Sequence, residues 1–147
     1  MTASFAARLM VGTVAAAQGV MPLFIELNRT HATNPLWMGH ARFHLVQQVS
    51  TGLLVAAIEV GLLGWPGRGF ESRFYLAALL TATSLAGFLL ALLGRQLYGG
   101  TLRDPNGYSP ARIRVALRTV EFDWNVIIVL VAAVVLAGAV IVFWMNV

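Results

Sequence analysis

The sequence predicts an all-α polytopic membrane protein: a four-transmembrane-helix bundle with an interfacial amphipathic segment before the fourth helix. Three observations carry that reading. Of 147 residues, 59% are hydrophobic and only 11% charged, against about 25% charged in a soluble domain. Four apolar runs are each long enough for a helix to cross a hydrocarbon layer of about 30 Å. The ten basic residues are all arginine, and they gather near the ends of those runs, where helix ends meet lipid headgroups.

The first run, residues 5–27, holds Gln18 and Pro22, and the proline should kink it. Arg8 ahead of an apolar stretch ending in Ala15-Ala16-Ala17 has signal-peptide character; the segment is expected to be retained as a helix. The second run, 35–63, opens at Asn34-Pro35. Asparagine caps free backbone N–H groups, and proline suits a first helical position that needs none. Gly64-Trp65-Pro66-Gly67-Arg68-Gly69 is a turn. The third run spans 72–97, with Thr81, Thr83 and Ser84 near its middle and Ala82, Ala86 and Gly87 small enough for close helix packing. A loop through Asp104-Pro105-Asn106-Gly107 follows. Ser109-Pro110 repeats the cap-plus-proline pattern and opens the amphipathic segment bearing Arg112, Arg114 and Arg118. The fourth run spans 122–146. The chain reads as one domain over 1–147, without internal repeat.

Several functions are excluded or discounted by composition. There is no cysteine and no lysine, hence no disulfide, thiolate site or lysine Schiff base. The formal charge of +4 does not point to nucleic acid, because the arginines are dispersed over helix ends. Arg29, Arg42, Arg95, Arg103, Arg112, Arg114 and Arg118 fall on the side of the first and third loops, and Arg8, Arg68 and Arg73 on the other. That imbalance puts loops one and three in the cytoplasm and both termini outside, in a bacterial plasma membrane.

The residues 33–48 are where chemistry concentrates. With His40 at zero and about 100° per residue, Gln47 falls near −20°, Thr51 near 20°, His44 near 40°, Trp37 near 60° and Gln48 near 80°. Such a polar stripe must face protein or water, since lipid cannot satisfy it. Arg42, about 200° from His40, reads as a snorkelling or headgroup-binding side chain. Four-span topology brings further polar residues to the same membrane face: Glu26, Asn28, His31, Glu121, Asp123, Trp124 and Asn125, with Arg95, Gln96 and Tyr98. Glu59 lies about 28 Å from His40 along the helix axis and is assigned to the opposite end. Mid-span positions are read as Thr, Ser, Gly and Gln18, with no deep charged relay.

His40, His44, Glu26, Glu121 and Asp123 are therefore the candidate catalytic residues. Asn34, Trp37, Gln47, Gln48, Trp124 and Asn125 are the candidates for binding substrate. The bland alternatives are interfacial pairing of the carboxylates with arginine and interfacial anchoring by tryptophan. No cofactor is favoured. His40 and His44, at i and i+4, have a spacing that can hold zinc or iron, with His31, Glu26 or Glu121 completing a shell. Haem would need ligands on different spans, and the histidines surround one.

The string Asn34-Pro35-x-Trp37-x-x-His40-x-Arg42-Phe43-His44 resembles the signature of small, uncharacterised four-helix membrane proteins of bacteria and fungi, over loop one and helix two. More remotely, a small bundle with a His/Glu/Trp/Asn cavity is similar in architecture to the emopamil-binding (EXPERA) group. That resemblance implies proton-transfer isomerisation, or binding, of sterol-like ligands. The expected function is a membrane enzyme for a lipophilic small molecule (terpenoid, sterol-like or epoxide-bearing), working by acid/base isomerisation, cyclisation or hydration. The alternatives are a non-catalytic lipid- or ligand-binding protein or small subunit of a membrane complex, and a His-ligated metal enzyme; transport ranks last. The expected partners are a lipophilic small molecule, membrane lipids and further copies of the chain in a homo-oligomer.

Overall fold

A computed structural model describes residues 2–65, 67–102, 109–115 and 118–147, with the side chains of Ile113 and Val115 excepted. Pro66, Arg103 and the expected Asp104–Gly107 loop lie outside the described residues. Four helices cross the expected membrane: α1 (Ala3–Ile25), α2 (Gly39–Gly64), α3 (Phe70–Gly94) and α4 (Trp124–Trp144). Each is long and apolar enough to span, as an integral membrane protein requires. A 3-10 turn, Arg95–Tyr98, extends α3. The helices form a closed ring in which α1 packs on α2 and α4, α3 packs on α2 and α4, and α1 touches α3 across the diagonal.

Local chemistry explains the ends. Thr2 caps α1 through its side chain, which accepts from Phe5 N. Gly67 and Gly69, at φ 103° and 76°, supply the left-handed backbone that turns α2 into α3. Arg73 ties that turn down by donating to the carbonyls of Trp65, Gly67 and Arg68.

Two boundaries differ from expectation. Helix α2 begins at Gly39, with Met38 at the cap position and no side-chain cap. Asn34-Pro35 instead makes a preceding turn: Asn34 Oδ1 accepts from Leu36 N while its amide donates to Thr30 O. Trp37 thus precedes the helix, and its place on the helical wheel does not apply. The segment before α4 is a two-stranded hairpin, β1 (Ala111–Val115) and β2 (Arg118–Phe122), rather than the helix its Ser109-Pro110 start resembles. Alternation of Arg112 and Arg114 with Ile113 and Val115, answered by Thr119 and Val120, has the period of two and the β-branched content that favour strands.

The core is lopsided. Its main cluster (Val11, Leu63, Phe74, Ala77, Leu136, Phe143) lies in the half of the bundle near the termini, centred on Phe74 and Phe143 stacked 3.6 Å apart. The first half of α4 and the last turns of α3 bury nothing within the chain, and in the first half of α2 only Val49 is buried. The close approach of α1 and α2 is at Gly19, where a Cβ would sit 2.4 Å from Ala56 Cβ and 3.3 Å from Gly52 O. Gly52 and Ala56, four apart, make the small-residue face that permits it. Ala86 and Gly87, expected to serve close packing, are exposed.

Candidate functional site

The polar stripe of α2 exists, and it points outward. The buried line of α2 runs through Val49, Ala56, Glu59 and Leu63, about 100–180° round the wheel from His40. His40, His44, Gln47, Gln48 and Thr51 are all exposed. His44 Nδ1 lies 3.3 Å from Gln47 Oε1, and its Nε2 lies 3.0 Å from His40 Nε2. Because the amide oxygen only accepts, His44 carries its hydrogen on Nδ1; its Nε2 then accepts from His40 Nε2–H. The two rings meet edge to face, with centroids 4.4 Å apart. The Gln48 side chain makes no hydrogen bond among the described residues.

The remaining candidates sit in separate local networks. In loop one, His31 Nε2 is 3.7 Å from the Glu26 carboxylate, and its ring packs edge-on against Trp37. Thr30 gives its hydroxyl hydrogen to Asn28 Oδ1 and accepts from His31 Nδ1. Asn34, 4% exposed, pins this knot through its backbone contacts. Arg42 turns back to the carbonyls of Trp37 and Pro35, so it closes the loop; headgroups are not needed to explain it. Glu121 accepts from Arg112 Nε at 3.1 Å across the hairpin, at the register position Arg112↔Glu121. Asp123 caps α4 by accepting from Asn125 N at 2.8 Å, and Trp124 Nε1 donates to Ser109 O. Among the described residues, no hydrogen bond joins His40 or His44 to a carboxylate.

The Nε2 atoms of His40 and His44, 3.0 Å apart, would have to give up their shared hydrogen and open to roughly 3.3 Å to serve as two ligands of one tetrahedral zinc. No group of three or more His or acidic side chains that could hold a metal occurs among the described residues. A further ligand would have to come from outside the described chain.

A second polar cluster was not anticipated. Glu59 is 2% exposed and Thr81 fully buried, with Thr81 Oγ1 donating to Glu59 Oε1 at 2.8 Å. Gln18 Nε2 reaches Thr81 O at 3.4 Å, and Gln18 Oε1 is buried without a partner. One residue each from α1, α2 and α3 thus meets inside the bundle. The signal was present: an ionisable residue inside an apolar span marks a protein-facing position. Axial distance from His40 alone assigned Glu59 to the far end and hid its neighbours on other helices. Comparison with family models, curated proteins and solved structures returns no match to the chain.

Proposed function

We propose that this chain is a self-assembling subunit of an intramembrane complex, in which copies meet along the α2 stripe. The carrying observation is the outward exposure of His40, His44, Gln47, Gln48 and Thr51 on a helix long and apolar enough to span a membrane. At least Gln47, Gln48 and Thr51 lie more than two turns inside α2, at a depth where lipid offers no hydrogen-bond partner. Imidazole and amide groups both donate and accept, so one stripe satisfies a second copy of itself across a two-fold axis. The thin core beside the stripe supports the same reading, since Val49 alone is buried in the first half of α2. Light scattering in a mild neutral detergent tests it: wild type should exceed the mass of one chain, and a His44→Leu/Gln47→Leu variant should return to it. A wild-type monomer across a wide concentration range would sink the proposal.

A second reading rests on the His40–His44–Gln47 relay itself. An imidazole pair sharing one hydrogen, open to the bilayer side, supports acid/base isomerisation, cyclisation or hydration of a lipophilic molecule. Glu26, Glu121 and Asp123 are held by other partners, so the histidines would carry the proton transfer. This reading requires His44→Ala to abolish turnover of such a substrate while the oligomeric mass stays unchanged. We further propose that loops one and three are cytoplasmic, on the arginine imbalance. The chain has no cysteine, so single cysteines at the exposed Thr33 and Ser72 report the two faces by impermeant labelling.

A further inference from the structure

At the membrane face that carries the termini, a cavity of about 670 Å³ is lined by Thr2, Ser4, Phe5, Arg8, Trp65 and Phe70, with Gly67 at its edge. Its size is that of a small-molecule site. Among the described residues that line it, Arg8 alone is charged. The guanidinium lies over the Phe70 ring, 4.8 Å from the centroid, and donates to Leu63 O at the end of α2. It makes no ion pair with a carboxylate among the described residues. A guanidinium has five N–H donors, so the carbonyl leaves most of them unused. Thr2 and Ser4 add hydroxyls to the same wall. The first turns of α1 and α3 begin beside it, which adds partial positive charge. The other wall is aromatic: Phe5 is exposed, Trp65 is 70% exposed, and both stand at the level where spans meet headgroups.

We propose that this cavity binds the phosphate headgroup of an anionic amphiphile, with Arg8 paired to the phosphate and the acyl portion laid along Phe5 and Trp65. An uncompensated guanidinium suits a phosphate oxygen pair in a bidentate way. The aromatic wall selects a headgroup attached to a chain over a free ion.

The test is native mass spectrometry of the full chain in a neutral maltoside detergent. It is titrated separately with dihexanoyl phosphatidylglycerol, dihexanoyl phosphatidylcholine and inorganic phosphate. One phosphatidylglycerol should bind per chain, at least about tenfold more tightly than phosphatidylcholine, and Arg8→Gln should erase that preference, a loss of roughly tenfold or more. Because Arg8 also holds the end of α2, Trp65→Leu is the second variant: it keeps the fold's contacts and should weaken both lipids several-fold. Arg68→Gln, an exposed arginine outside the cavity, should change nothing. Equal binding of the two lipids, or a phosphatidylglycerol preference that survives in folded Arg8→Gln protein, overturns the proposal. Displacement of phosphatidylglycerol by equimolar inorganic phosphate overturns its amphiphile half and makes the site one for free phosphate.

Discussion

Helix α2 carries two polar groups of opposite fate. On one face, Glu59 is sealed inside the bundle, held by Thr81 and overlooked by Gln18. On the other, the side chains of His40, His44 and Gln47 bond, among the described residues, only to one another and face away from the bundle. Both groups lie in a helix apolar enough to span a membrane, where an unsatisfied polar atom is expensive. The difference follows from where the core is. Glu59 lies in the half packed around Phe74 and Phe143, whereas the histidines start α2 in the half where neighbouring helices bury almost nothing. In one cluster the chain itself supplies the partner of Glu59, with Gln18 Oε1 the atom left over; the other faces away from the chain and is left for something else to finish.

The comparison can be broken most forcefully at the seam that seals the buried side. Gly19→Leu forces a side chain into Ala56 and the backbone of α2; a loss of about 3 kcal/mol or more is expected, read as collapse of the thermal transition in detergent. Thr81→Val removes the hydroxyl that serves Glu59 and should destabilise the chain by about 1–3 kcal/mol, with no change in oligomeric mass. On the open side the pattern reverses. His44→Leu should weaken self-association by about 1–2 kcal/mol, close to tenfold in Kd, while the unfolding transition of the separated chain moves by no more than about 0.5 kcal/mol. The smallest effect is expected at Gln48→Leu, at the stripe's edge and without an internal partner: association weakened by about 0.6 kcal/mol and stability unchanged. A stripe variant that destabilises the isolated chain as much as Thr81→Val would erase the contrast.

Metal content sharpens the same contrast. If two copies bring their His40–His44 pairs together, wild-type protein carries near-stoichiometric zinc or iron that is absent from a His40→Ala/His44→Ala variant. Elemental analysis of the two proteins, purified side by side, reads this directly.

The spans were legible because length and apolarity alone set them, and each helix falls within a few residues of its expected place. Asn34-Pro35 misled because asparagine caps a turn as readily as a helix, and three more residues pass before α2 begins. Ser109-Pro110 misled for the same reason, and the strand alternation of residues 111–122 outweighed it. The wheel correctly gathered His40, His44, Gln47, Gln48 and Thr51 onto one face. A wheel fixes angles between residues of one helix, though, and which angle meets the bundle depends on Gly19 of α1 meeting Gly52 and Ala56. Glu59 inside an apolar span signals a protein-facing position, but its partners are not legible in the sequence: Thr81 lies 22 residues from Glu59 and Gln18 lies 63 from Thr81, and only packing brings them together.

The most direct test of the account is a disulfide formed in the membrane between single cysteines on the stripe. Gln48→Cys, at the exposed edge of α2, is oxidised in native vesicles beside Leu79→Cys, an exposed position on α3. The account predicts a band at twice the 15.9 kDa of one chain for Gln48→Cys and none for Leu79→Cys. Monomer at both positions, or equal dimer at both, would contradict the claim that copies of this protein meet along α2.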